Sequence, residues 1–313
     1  MKIYLPAKDS HKGQNGRLLI IVGSHLFHAA SLWALKVASR IVDLVHYSSV
    51  EENNRIVQKL KEEFRDGIIV PRSHIEDYIN EDDCILIGPG MMRTQSSKLK
   101  AQMSKLQLKT QKLEDILNLE DEGVQTYYLT KYLLQKYSHK RWVIDAGALQ
   151  MMEPEWIPKD AVLTPHHKEF ERLKDTSDFV PTKSVLQPTQ SDGGSPELVE
   201  GHDSSEVEET VRRFVKQYNC VVLLKGEKDI VASKDKLEMI EGGNAGMTKG
   251  GTGDVLAGLV AALYCKNDAF LSASAASYIN KKAGEDLYKK MGYWFNASDL
   301  ADQIPQTMKR LLL

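Results

Sequence analysis

The stretch Asn244-Ala245-Gly246-Met247-Thr248-Lys249-Gly250-Gly251-Thr252-Gly253-Asp254-Val255-Leu256-Ala257-Gly258 constrains this chain more than any other. Gly246, Gly250, Gly251 and Gly253 leave the backbone free to take positive φ and to approach a ligand closely. Val255, Leu256, Leu259, Val260 and Leu263 then recur at helical spacing, which predicts a helix starting near Thr252. Bare amides at a helix start, backed by the positive end of the dipole, attract anions, and phosphate is the obvious candidate. Asp254 does not suit a plain phosphate site, because a fixed carboxylate repels a polyphosphate unless it faces another group, such as a hydroxyl or a metal ion. That marks it as a candidate base. The plain structural alternative is an acid that complements the helix dipole after glycines that only turn the chain. Four glycines and a lysine ahead of one acid favour the functional reading.

Composition narrows the partners. With 41 basic and 43 acidic residues the net charge is -2, so no global field points to nucleic acid or to an acidic membrane surface, and substrate charge must be handled locally. Cys84, Cys220 and Cys265 are far apart and each lies in or beside an apolar run, which predicts small buried hydrophobes in a reducing compartment rather than a disulfide or a zinc site. No signal-type apolar core follows Met1 and no apolar run reaches membrane-spanning length, so the expected location is the cytoplasm.

Short apolar runs alternate with helical patterns along the chain. Leu18 to Val22, ending at Gly23-Ser24, reads as a buried parallel strand, and the helix after it opens with the small residues Ala29 and Ala30. Gly67 to Val70 and Cys84 to Ile87 are further strands, the second running into Gly88-Pro89-Gly90. Trp142 to Ile144 ends in Asp145, Ala161 to Thr164 ends in Pro165-His166, and Cys220 to Leu224 leads to Lys225-Gly226-Glu227-Lys228-Asp229 and a return strand, Ile230 to Ala232. Ligands of open α/β sheets bind beyond the carboxyl ends of strands, where these glycines, acids and His166 gather. Thr94 to Glu122 reads as one or two solvent-facing helices, and Asp175 to Ser205 as a surface insertion. The chain lacks both GxGxxG after its first strand and GxxxxGK[ST] anywhere, so two common nucleotide-binding folds lose support. The alternation predicts an α/β fold with a mainly parallel central sheet and helices on both faces.

In this order the segments resemble the NAD(P)H-hydrate dehydratase family, which has the ribokinase-like fold. The likeness is carried by His11-Lys12-Gly13 with Gly16-Arg17, Ile87-Gly88-Pro89-Gly90, Val143-Ile144-Asp145-Ala146, Leu163-Thr164-Pro165-His166 with Glu169-Phe170, Lys225-Gly226, the glycine-rich stretch ending Gly253-Asp254, and Ala297-Ser298-Asp299-Leu300. The resemblance implies one domain over residues 1–313, with a flexible insertion at 175–205. It implies removal of water from hydrated NADH or NADPH at the expense of ADP or ATP, with Asp254 as the base and Mg2+ on the nucleotide phosphates. Ala29, Gly90 and His166 would contact the hydrated dinucleotide together with Asp254. Lys225, Gly226, Asp229, Asn244, Gly246, Met247, Lys249, Gly250, Gly251, Thr252 and Gly253 would border the adenine nucleotide. No protein metal ligand is implied. By the same resemblance the chain is expected to form a homo-oligomer and to work beside a separate NAD(P)H-hydrate epimerase, since it begins directly with the dehydratase lead.

The pattern departs from the family at Met92, where a second glycine is usual, at Gly147, where a second aspartate is usual, and at His25-Leu26-Phe27-His28, which replaces a glycine-rich turn. These changes fall on the hydrate side. Two other readings compete: a ribokinase-like kinase of a small hydroxymethyl compound, and a non-catalytic nucleotide-binding regulator. The Gly246-Met247 loop resembles ADP-using members, whereas Lys225 to Asp229 and Thr164 to His167 resemble ATP-using ones, which leaves the choice open with the balance toward ADP. A helix start should hold Asp254 ionised, as a weak base acting through orientation.

Overall fold

The structure, a computed structural model, describes residues 2–60, 67–94, 112–177 and 204–313. Among these residues the strands form one nine-stranded sheet in the order β3-β2-β1-β4-β5-β6-β7-β8-β9. β1 (Arg17–Ile21), β2 (Leu44–Ser48), β3 (Ile68–Ile69), β4 (Cys84–Ile87), β5 (Arg141–Ile144), β6 (Val162–Leu163) and β7 (Val221–Leu224) are mutually parallel. β8 (Asp229–Ala232) runs antiparallel to β7, and β9 (Leu237–Ile240) antiparallel to β8. The carboxyl end of β9 therefore returns to the same edge of the sheet as those of β1 to β7.

Side chains alternate across the strands, so the apolar runs feed two cores. Leu18, Ile20, Val22, Leu86, Val143 and Leu223 point to one face, and Leu19, Ile21, Ile87, Ile144 and Leu224 to the other. A fully buried Leu or Ile contributes about 1.5–3 kcal/mol by transfer from water, and strands buried on both faces collect that gain at every position. In chain order the described helices are α1 (Ala29–Ala38), α2 (Glu51–Leu60), α3 (Ile75–Glu81), α4 (Leu113–Leu117), α5 (Glu122–Lys136), α6 (Ala146–Met151), α7 (His167–Ser177), α8 (Ser204–Tyr218), α9 (Thr252–Tyr264), α10 (Ala269–Met291) and α11 (Ala297–Leu312). Residues of α1, α9, α10 and α11 pack in the first core, and residues of α3 to α8 in the second.

Helix α9 is the pivot of the first layer. Gly258 lets it approach α1, because a Cβ there would sit 2.8 Å from the backbone of Ala34. At its other end Arg141 donates to the carbonyls of Tyr264 and Cys265 at 2.8 and 2.9 Å, which satisfies terminal acceptors and ties α9 to the start of β5. The expected capped entry at Asn296 is present: Asn296 Oδ1 accepts from the Ser298 and Asp299 amides, and Asp299 accepts from the Asn296 amide. All three cysteines are buried. Of the expected insertion at 175–205, residues 178–203 lie outside the described residues, as do residues 95–111 of the expected solvent-facing helices.

Candidate active site

The carboxyl ends of β5 to β7 and the start of α9 converge on one cluster of charge. Asp145 follows β5 and is buried, and its Oδ1 accepts from Thr164 Oγ1 at 2.8 Å and from Lys225 Nζ at 3.0 Å. Thr164 follows β6 and Lys225 follows β7, and a parallel bridge between His166 and Lys225 extends the pairing of those strands. Three strand ends are thereby bound through one carboxylate. Burial alone would lower the Lys225 ammonium, but the carboxylates of Asp145, Glu169 and Asp254 outweigh it and hold the group above its ordinary value. Lys225 is a fixed cation at this edge.

The glycine-rich stretch folds as a short helical turn, Ala245–Thr248, followed by α9, which starts at Thr252 as expected. Asn244 organises the turn: its Oδ1 accepts from the Gly246 amide at 2.9 Å and its Nδ2 donates to the Gly284 carbonyl of α10 at 2.8 Å. Thr252 Oγ1 lies 2.6 Å from the Met247 carbonyl and 2.9 Å from that of Lys249, which closes the loop onto the helix start. Gly251 is the position that demands glycine. It caps α9 at φ 93°, and a Cβ there would lie 2.2 Å from the Trp33 ring. Gly250 faces open space, and Gly253 passes close to Lys225. Lys249 points elsewhere, its ammonium hydrogen-bonded to the Tyr293 carbonyl and set over the Phe295 ring.

Asp254 lies in the first turn of α9, partly buried, and burial pushes its carboxyl up to about 8, with the Asp145 charge adding to the rise and Lys225 opposing it. This corrects the expectation that the helix start keeps it well ionised. A dipole contribution of typically 0.3–1 kcal/mol corresponds to less than about one pKa unit, too little to offset desolvation beside two other carboxylates. The group is poised near neutrality, where a proton acceptor works best.

Beside Asp254 opens a cavity of about 710 Å³, lined by Lys225, Gly226, Asp229, Asn244, Met247, Thr252 and Gly253 among others. Seven residues expected to border one ligand thus share one space. Asp229 lines it, but its carboxylate is engaged in building the wall: Oδ1 accepts from the Gly226 amide at 2.9 Å and lies 3.3 Å from Lys281 Nζ, and Oδ2 accepts from Ser277 at 2.7 Å. Gly246 is buried against Phe295 behind the loop.

On the other side, Gly90 sits at φ 70° with Ala30, the Phe27 carbonyl and Gly23 around its Cα, so the loops after β1 and β4 touch. Ala29 is exposed at the start of α1. His166 is half-exposed and enters a reciprocal cap at the start of α7: its amide donates to Glu169 Oε2 at 2.9 Å, and its Nδ1 accepts from the Glu169 amide at 3.2 Å. The ring proton therefore belongs on Nε2. Burial lowers His166 below its ordinary range, with Glu169 opposing, which favours the neutral donor. Gly147 has a steric reason: a Cβ there would lie 2.1 Å from the Met91 carbonyl, so the 88–92 loop occupies the space a longer side chain would need.

Sequence reading missed Glu169 as a cap partner, and missed Ser277, Asn280 and Lys281. The capping spacing from His166 to Glu169 could have revealed the first. The others lie within a 23-residue helix with no local mark.

The mainly parallel sheet with helices on both faces is a ribokinase-like fold. Structures of that class overlay closely: a ribokinase-like superfamily protein from Enterococcus faecalis (TM-score 0.69, 19% identity, 98% of this chain and 92% of the other) and the Bacillus subtilis ADP/ATP-dependent NAD(P)H-hydrate dehydratase crystallised with ATP/Mg2+ (0.69, 20%, 98% and 93%). The model of the NAD(P)H-hydrate dehydratase family matches residues 18–306, and the chain belongs to that family. It is 31% identical to the ADP-dependent (S)-NAD(P)H-hydrate dehydratase of Nitrosopumilus maritimus, over 99% of this chain and 94% of that protein. It is 32% identical to a bifunctional NAD(P)H-hydrate repair enzyme of Methanocaldococcus jannaschii, over 96% of this chain and 50% of that protein. The chain spans about half the length of the bifunctional relatives it matches.

Proposed function

We propose that this chain returns hydrated NADH or NADPH to the reduced dinucleotide, using ADP or ATP. The observation that carries the reading is the Asp254 carboxyl: it stands at an anion-binding helix start beside the cavity, raised by burial and neighbouring charge, with no hydrogen bond among the described residues contributing to its state. A phosphate-binding site gains nothing from such a group, whereas a site that takes a proton from a hydroxyl needs it.

The hydrate hydroxyl, held between Asp254 and the Gly90 and His166 side, gives its proton to Asp254, and its oxygen bonds to the terminal phosphorus as AMP or ADP leaves. The amides of Gly250 to Gly253 and the start of α9 stabilise charge on the transferring group. Lys225, held by Asp145, adds a fixed positive charge. The C–O bond then breaks, phosphate departs with that oxygen, and the neighbouring ring carbon gives its proton to solvent water as the double bond re-forms. His166, neutral and proton-bearing at Nε2, orients the substrate as a donor.

Magnesium suits this site as an ion carried by the phosphates. No cluster of His, Cys, Asp and Glu among the described residues could hold it alone, and a hard octahedral ion bound largely by phosphate and water does not require one. When bound it neutralises phosphate charge. No described helix is long and apolar enough to cross a membrane. A cytoplasmic location, a homo-oligomeric state and a separate epimerase acting on the hydrate are part of this reading by family analogy alone. The test is optical: hydrated NADH with ADP or ATP should regain the absorbance of reduced nicotinamide. No regain with either nucleotide contradicts the proposal.

A further inference from the structure

Glycines give the phosphate loop its close approach but leave it without stiffness, so amides aimed at a phosphate must be held by something outside the loop. Three positions of the loop lean on one segment, residues 293–298 at the junction of α10 and α11. Gly246 meets the ring of Phe295, where a Cβ would lie 2.6 Å from it. Gly251 meets the Trp33 ring, and the Trp33 indole N–H donates to Ser298 Oγ at 3.1 Å. Lys249 supplies the third contact. Its Nζ donates to the Tyr293 carbonyl, lies 3.4 Å from that of Gly246 and stands 5.2 Å from the centre of the Phe295 ring. The support is itself fixed: Phe295 is buried, and the capping box at Asn296 starts α11 directly after it.

Lys249 is exposed. An exposed lysine ordinarily leaves its ammonium in water or near a carboxylate, because holding a long side chain in one place costs rotamer freedom. Among the described residues no carboxylate pairs with this one. The ammonium rests on two neutral carbonyls and on the negative face of an aromatic ring. Those contacts also turn it from the nucleotide: Met247, Thr248, Thr252 and Gly253 of the same loop line the cavity, and Lys249 does not. A lysine serving as a phosphate ligand would face that space, whereas this one joins the back of the loop to its support.

We infer that Lys249 is a positioning residue that tethers the phosphate loop to residues 293–295, keeping the amides of Gly250 to Gly253 aimed at the phosphates, and is not itself a phosphate ligand. The inference rests on the nucleotide reading of the cavity and adds how its anion loop is held. Calorimetric titration of ADP into the wild type, Lys249→Met, Lys249→Arg, Phe295→Leu and the Lys249→Met/Phe295→Leu double variant tests it, with thermal melting of each unliganded protein. Lys249→Met should melt with the wild type yet bind ADP about tenfold more weakly, and Lys249→Arg, which keeps a donor for the Tyr293 carbonyl, should recover most of that loss. Phe295→Leu should weaken ADP as well, and in its background Lys249→Met should cost only about twofold more, because both substitutions release the same tether. A full loss on Lys249→Met in the Phe295→Leu background would place the ammonium on the phosphate directly and overturn the inference. Unchanged ADP affinity in Lys249→Met overturns it too, as does a marked fall in that variant's melting temperature, which would assign Lys249 to the fold. Absence of any ADP or ATP binding to the wild type would instead remove the nucleotide reading itself.

Discussion

Lys225 Nζ and Asp145 Oδ1, 80 residues apart in sequence, meet at 3.0 Å between the carboxyl ends of β5 and β7. The pair flanks a buried carboxyl: burial pushes Asp254 up, Asp145 adds to the rise and Lys225 draws it down, with Glu169 adding a little more to the rise. A buried cluster of three carboxylates around one ammonium leaves Asp254 as a proton acceptor that titrates close to neutrality.

Asp254→Asn should retain ADP or ATP binding and lose turnover of hydrated NADH by about 10²–10⁴-fold, the usual contribution of a positioned acid or base. Titration calorimetry and the nicotinamide absorbance assay check the two halves separately. Turnover near that of the wild type would remove Asp254 as the base.

The pH profile of kcat/KM should rise through a limb near 8, set by Asp254 in the free enzyme. Lys225→Met removes the charge that favours the carboxylate and should move the limb up by about one unit or more, whereas Asp145→Asn should move it down. Shifts of the opposite sign would contradict the assignment.

Stability carries the same signature. The folded chain holds the Asp254 proton to about pH 8, while an unfolded carboxyl releases it near 3.8, so the wild type loses stability as pH rises across that window. Asn has no such dependence. Unliganded Asp254→Asn should therefore match the wild type near pH 4 and exceed it increasingly up to pH 8, by an amount on the order of a few kcal/mol. Denaturant melts at a series of pH values measure the difference.

Lys281→Met should destabilise the fold by roughly 3–5 kcal/mol, the cost of leaving a buried partner charge uncompensated, here that of Asp229. Because Lys281 also holds the Gly226, Glu227 and Gly242 carbonyls, nucleotide affinity should fall with it. Thermal melting and ADP titration report the two effects.

Much of this site is legible in the sequence because its parts occupy strand ends, and strands buried on both faces read as unbroken apolar runs. Gly90, Asp145, His166 and Lys225 are found that way, and the α9 start is found from its glycines. β2 escapes because its segment, Leu-Val-His-Tyr-Ser, carries polar residues that only tertiary contacts explain: His46 pairs with Asp82 at 2.8 Å and Tyr47 donates to Ser31. β9 escapes as a short edge strand with half its length exposed. The raised Asp254 carboxyl is not legible because burial is a property of the assembled fold, invisible in a helix start read alone. Asn280 and Lys281 were unreadable for the same reason.

The most direct test of the mechanism follows one oxygen atom. NADH hydrate carrying ¹⁸O in its hydroxyl is turned over with ADP or ATP, and the released phosphate is examined by mass spectrometry. Phosphoryl transfer to the hydroxyl followed by elimination predicts that the label appears in phosphate. Label found in water, with unlabelled phosphate, would contradict it.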